Sequence, residues 1–450
     1  MCASRRVVGL DPMKARWWVA FAGIMVMLGP GAVYSYSLFT QPLLASFNWT
    51  TTQTTWAFAL ANFFLGLGGV IGGIIAYRGG TRSVALIGVT LWGLGNILAG
   101  YGTASFGAQW LWMTYGVVGG LGCGMAYIAS VTSVIKWFPE RRGFGGGLII
   151  MGFGLGAPIY GLIIRSLPAF TAAAKAAALF VAARTAAEAS QITFNAAQYA
   201  LKPDVVAGLM NIFTVSGIAF IAFGCIFAFA LREPPRTFAV NGFPTNDDEL
   251  SYTTTEMLGS PQFYLLWVML FLNVTAGIIV ISNATGIMQE LTGVAAPTVV
   301  ATYAYLAFFN GFGRLFWGWL SDRIGRRLAY AAIFGIQVIS FFFLGELHSL
   351  AAVAAVYAVV LLCYGGGFGV MPAFNADFFG TKHFGANYGL NITAWGCAGL
   401  VGPAFVSSVK DLTGSFAGAL LPVAIMLLVA IIFPLISDKP LVSRPLERAA

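Results

Sequence analysis

Hydrophobic positions along the chain come in long, unbroken runs, separated by short polar turns that hold most of the charge. Twelve runs stand out, at about 17–40, 54–76, 83–102, 108–135, 143–166, 207–231, 262–286, 297–320, 328–346, 351–375, 385–409 and 414–436. Each is close to the ~20 residues that a helix needs to cross a bilayer. The runs lack the alternating short segments of a transmembrane barrel. The pattern predicts an all-α membrane protein with twelve transmembrane helices in two six-helix bundles. The halves are 1–231 and 261–450, joined by a polar linker, 232–260, that carries Pro234-Pro235 and Asn246-Asp247-Asp248-Glu249. Between the fifth and sixth runs, residues 167–206 form a longer connection. Its alanine-rich stretch from Ala172 to Arg184 predicts a helix capping the outer face.

Composition agrees with lipid as the main solvent. Of 450 residues, 58% are hydrophobic and only 9% charged, and the mean hydropathy is +0.82; a water-facing surface needs about a quarter of residues charged. A net charge of +8 raises the question of nucleic acid, but the placement of the cations answers it. With the N-terminus in the cytoplasm, 18 of the 24 lysines and arginines fall in inside segments, among them Arg5, Arg6, Arg236, Arg444 and Arg448. Five fall outside, including Arg165 and Lys410, and Arg314 lies within a run. This bias predicts cytoplasmic termini and a cytoplasmic linker in the plasma (inner) membrane, and no nucleic-acid partner. Four of the five cysteines lie in apolar runs, and Cys2 stands at the N-terminus. Neither disulfides nor a metal site is expected from them, and no cofactor is implied.

The halves echo each other. Gly318-Trp-Leu-Ser-Asp322-Arg323-Ile-Gly325-Arg326-Arg327 follows the eighth run, and Gly73-Ile-Ile-Ala-Tyr77-Arg78-Gly-Gly80-Thr81-Arg82 follows the second. Parallel repeats of six helices imply a transporter with its site between them. The 318–327 motif, with twelve spans in two halves, resembles the major facilitator superfamily; Tyr77 stands where that family usually has Asp. Within it, Arg16-Trp17-Trp18, Tyr34-Ser35, Lys136-Trp137-Phe138-Pro139 and Phe379-Gly-Thr-Lys382-His-Phe-Gly-Ala-Asn387-Tyr388-Gly389 resemble the oxalate/formate antiporter family and the related monocarboxylate transporters. The loop motif, Gly318, Asp322, Arg323, Gly325 and Arg326, is then expected at the cytoplasmic gate.

Arg314 is the centre of the chemical reading. It lies about 9 Å above the cytoplasmic boundary, at 1.5 Å per residue over six residues, where a charge normally faces a cavity. Asn310, one turn earlier, shares its face. No acidic residue lies at mid-membrane: Glu290, Glu346 and Asp411 fall at outer ends, Asp322 and Asp377 at inner ends. The missing countercharge is then an anionic substrate, and a guanidinium fork suits a carboxylate. In the resembled families the corresponding arginine binds the substrate carboxylate. The antiporter carries a lysine after Thr-Ala in the eleventh span, where this chain has Thr393-Ala394-Trp395. One cation with Trp395 as an apolar wall points to a monocarboxylate such as lactate, pyruvate or formate. Tyr127, by its spacing from Trp137, and Tyr34, Phe153, Tyr364 and Phe368 occupy places that the resemblance assigns to the substrate pocket; Asn391 is one turn before Trp395.

The expected activity is secondary active transport of a small organic anion by a monomer, with proton-coupled symport favoured over anion exchange. No phosphate-binding loop for ATP is present, and His348 and His383 lie in loops, so enzyme chemistry is not expected. A non-transporting membrane sensor is the rival from another class.

Overall fold

The computed structural model describes residues 11–235, 238–240, 243–244, 251–413, 415 and 417–440. Cys2, Arg5, Arg6, Arg236, Asn246–Glu249, Arg444 and Arg448 lie outside the described residues, as do the side chains of Lys410 and Asp411.

Helix dominates. The N-terminal part comprises α1 Pro12–Gly31, α2 Ser37–Phe47, α3 Thr51–Gly79, α4 Thr81–Phe106, α5 Ala108–Leu111, α6 Gly120–Ile135, α7 Arg142–Ser166, α8 Pro168–Ala189 and α9 Pro203–Ala228. A short hairpin of β1 Ala239–Val240 and β2 Phe243–Pro244 precedes α10 Thr254–Leu258 in the linker. The C-terminal part comprises α11 Pro261–Ser282, α12 Ala284–Thr292, α13 Ala296–Ile324, α14 Arg326–Leu344, α15 Leu350–Phe379, α16 Phe384–Asn391, α17 Thr393–Thr413, α18 Leu420–Ala430 and α19 Ile432–Ile436.

Local chemistry sets the helix starts and breaks. Asp11 caps α1 ahead of Pro12, and Thr50 with Gln53 forms a capping box on α3. Pro30, which has no N–H to give, precedes a tight 3-10 turn over Ala32–Tyr36 that holds Tyr34. The fourth span is wound as a π-helix over Trp112–Gly119. The echo seen in the sequence has a matching backbone: Gly80 and Gly325 both sit at positive φ, 80° and 88°, where a side chain would be strained.

Among the described residues, ten helices are long and apolar enough to cross a membrane. They include the expected spans one to seven, nine and ten. The eighth span is α13, whose 29 residues are also sufficient in length. The eleventh is α16 with α17, broken at Ile392, and the twelfth is the shorter pair α18 and α19. The tenth candidate is α8, the predicted outer helix. It rests on α2, with Phe170 5.6 Å from Phe39, and on the start of α9. Together α1, the 3-10 turn and α2 run 36 residues, about 54 Å against a ~30 Å hydrocarbon core. The helix α8 packs on the resulting overhang. Ile226, Phe229, Ile339 and Leu428 point outward from the bundle, as lipid-facing positions do.

Helices α1, α4, α6, α7 and α9 pack together, as do α11, α13, α14, α15, α17 and α18. The groups meet along two seams, α7 with α13 and α3 with α16 and α17. Cys123 and Cys363 are buried, and Cys225 and Cys397 half-buried, without disulfides.

Candidate functional site

Arg314, on α13 at the first seam, is fully buried. Its Nε donates to Asn310 Oδ1 at 3.4 Å and its Nη1 to the Ile150 carbonyl of α7 at 3.5 Å, both long bonds. Its Nη2 has no partner among the described residues. The guanidinium carbon lies 4.8 Å from the Phe368 ring centroid and 5.4 Å from that of Phe153. Ring faces attract a cation, but they do not neutralise it. The acidic residues with ion pairs in the described chain are elsewhere, most at the end expected to face the cytoplasm. Gly154 makes room for the group: a Cβ there would stand 2.9 Å from Arg314 Nε and 2.6 Å from the Cα of Gly311.

Trp395, also wholly buried, touches four of the other predicted residues. Its ring lies 4.6 Å from Phe368, 5.2 Å from Phe153 and 5.7 Å from Tyr127, and stacks on Tyr34 at 5.9 Å. Two hydroxyl pairs join the helix groups. Tyr34 and Tyr364 hydrogen-bond at 2.8 Å, and Tyr127 and Tyr388 at 3.1 Å. Asn391, the last residue of α16, is buried with both amide atoms unpartnered. Arg314, Asn310, Trp395, Phe153, Phe368, Tyr34, Tyr127 and Tyr364 thus converge, and the structure adds Tyr388 and Gly154. The sequence signal for Tyr388 is its place in the 379–389 stretch that carries the family resemblance.

On the side expected to face outward, a cavity of about 100 Å³ runs between the groups, lined by Tyr34, Gly154, Arg165, Tyr303 and Asn310 among others. Arg165 adds a second cation along this approach. At the end expected to face the cytoplasm the seam is closed. Asp322 accepts from the backbone N–H of Gly143 at 2.8 Å and of Phe144 at 2.7 Å, at the N-terminus of α7, where the helix dipole favours an anion. Arg326 pairs with Asp322 at 2.7 Å and Asp377 at 2.8 Å, and Arg142 pairs with Asp377 at 3.2 Å. Gly318 brings α13 against the backbone of Gly143. Arg323 lies over the Trp319 ring at 3.8 Å, and Gly325 makes the turn into α14. On the other seam Tyr77, in place of the acidic residue, meets the ring of His383 at 4.8 Å.

A model of the Major Facilitator Superfamily matches residues 19–375 and 266–449. The chain belongs to this superfamily. It is an integral membrane protein with the transporter fold of its relatives. It is 25% identical over 392 residues to the oxalate:formate antiporter of Oxalobacter formigenes, covering 86% of this chain and 83% of that one. The apicoplast pyruvate carrier 1 of Toxoplasma gondii is 27% identical over 366 residues, covering 74% and 65%. The human monocarboxylate transporter 1 is 28% identical over 148 residues, covering 32% and 29%. Among solved structures, the E. coli fucose:proton symporter FucP matches with a TM-score of 0.65 at 14% identity, covering 94% of this chain and 98% of that one. This superfamily member therefore carries, between its two helix groups, one buried cation in an aromatic cage.

Proposed function

We propose that this protein is a secondary transporter of small monocarboxylate anions, of the size of lactate, pyruvate or formate. It works by alternating access between residues 1–231 and 261–450. It acts as a monomer in the inner (plasma) membrane, with both termini and the linker cytoplasmic. The observation that carries the reading is Arg314: fully buried, without an acidic partner among the described residues, and with Nη2 unpartnered. A buried cation of this kind needs an anion, and a planar fork takes a carboxylate best. The names of the Oxalobacter and Toxoplasma relatives point to small carboxylates as well. One cation takes one carboxylate, and Trp395 occupies the position at which the antiporter resemblance calls for a lysine.

In this reading the anion enters by the outer cavity, drawn by Arg165, and parts the Tyr34–Tyr364 bond. It pairs with Arg314 and leaves when the ionic latch at Asp322 opens. Proton-coupled symport is the coupling we propose. A second reading, anion exchange, draws on the uncompensated Arg314, which makes reorientation of the empty carrier costly. Purified protein in liposomes tests both. Saturable uptake of labelled lactate or pyruvate is expected, driven by an inward proton gradient. Uptake that ignores the gradient and requires internal carboxylate would select exchange, and no carboxylate flux under either condition would refute transport.

A further inference from the structure

The indole nitrogen of Trp395 is a buried donor with no acceptor among the described residues. Asn391, the last residue of α16 and across the break at Ile392, is equally buried, and its Nδ2 and Oδ1 are both unpartnered. Native proteins satisfy nearly all buried polar groups, and exceptions gather where a ligand completes the set. Here two unpartnered groups, the Trp395 indole N–H and Arg314 Nη2, belong to side chains that meet at one cage. Trp395 lies against the same two rings, Phe368 and Phe153, that hold the Arg314 guanidinium. The cation comes from α13 and the indole from α17, so they face the cage from different helices. Tyr34 stacked on the indole and Tyr127 set across it hold the ring plane.

A carboxylate held by the Arg314 fork turns its oxygens toward α13. A donor on α17 then meets the rest of the molecule. We infer that Trp395 Nε1 donates to a second substrate oxygen, on the carbon next to the carboxylate, and that the site therefore selects 2-oxo and 2-hydroxy acids over plain carboxylates of equal length. This rests on the reading of Arg314 as the carboxylate anchor. An indole N–H is a donor only, which suits an oxo group. A 2-hydroxyl accepts from Trp395 as well. A methylene at that carbon leaves the indole unsatisfied in the bound state, and a site built for hydrogen bonding rejects such an analogue.

The test is equilibrium binding of pyruvate, lactate and propionate to the purified full-length protein, with Trp395→Phe and Arg314→Gln alongside. Propionate has the same carbon count but no oxygen on the carbon next to the carboxylate. The wild type is expected to bind pyruvate and lactate at least about tenfold more tightly than propionate, and Trp395→Phe to bring the ratio within about threefold, because an aromatic wall remains while the donor is gone. Equal wild-type affinity for pyruvate and propionate overturns the inference, as does an unchanged ratio in Trp395→Phe. The wild-type ratio decides alone if that variant does not fold. If pyruvate and propionate bind equally and both are lost in Arg314→Gln, the carboxylate anchor stands and only the role of Trp395 falls. If the wild type binds none of the three, both readings fall.

Discussion

Replacing Trp395 by lysine puts a second cation into a cage that holds one. Both groups lie against the Phe368 ring, Arg314 at 4.8 Å and Trp395 at 4.6 Å, so the two charges would stand within about 9 Å of each other. At that distance and an effective dielectric of about 20, their repulsion is about 2 kcal/mol. The empty variant also buries an unpaired ammonium, at a cost of several kcal/mol. A monoanion relieves one charge and leaves the other; a dianion relieves both. The expected outcome is a shift of the oxalate-to-pyruvate affinity ratio by about 30-fold or more in favour of oxalate, the equivalent of about 2 kcal/mol. Calorimetric titration of purified Trp395→Lys with the two ligands reads this directly. Thermal unfolding gives an independent check, because oxalate should raise the melting temperature of the variant more than pyruvate does. Unchanged pyruvate affinity with no oxalate binding would refute the reasoning, and would mean that position 395 does not face the substrate.

Two predictions concern the seam at the proposed cytoplasmic end, read by the distance between spin labels at the exposed positions Arg141 and Leu328. Asp322→Asn removes the charge from two backbone hydrogen bonds and the Arg326 pair, each worth about 1.5–3 kcal/mol when charge-assisted, so the long-distance, cytoplasm-open population should rise; an unchanged distance distribution would show that Asp322 is not a latch. His383, against Tyr77 and near Lys382, has its pKa held below the ordinary 6.5, by burial first and by Lys382 second, with Glu256 opposing. Opening restores the ordinary value, so protons bind the open form better: without substrate, the open population should grow as pH falls below about 6.5, and His383→Gln should flatten that dependence.

The span pattern was legible because each apolar run is long and bounded by charge, and the Gly80 and Gly325 turns were legible as an internal echo. Arg314 stood out as a basic residue well inside a run, away from its ends, and its lack of an acidic partner followed from the absence of mid-membrane carboxylates. Other features needed three dimensions. That Trp395 packs on Tyr34, and that Tyr127 meets Tyr388, depends on how α16 and α17 close against the N-terminal helices, which no periodicity encodes. In the sequence Gly154 is one of several glycines in the fifth run; only the approach of Arg314 Nε to its missing side chain distinguishes it. Arg165 counted as an outer charge, and its place on the cavity wall comes from the fold. The sequence presented Trp395 as an apolar wall; its unpartnered N–H became visible only once its neighbours were placed.

The central claim is that Arg314 holds the substrate carboxylate. Its most direct test is pyruvate binding to purified wild-type protein and Arg314→Gln, with the unfolding temperature of each measured without ligand. Two charge-assisted bonds of about 1.5–3 kcal/mol each predict a loss of about a hundredfold or more in affinity. Because the charge serves the ligand and has no acidic partner in the described chain, the empty variant should be at least as stable as the wild type. Wild-type affinity in Arg314→Gln, or lost binding with a clearly lowered unfolding temperature, would contradict the account.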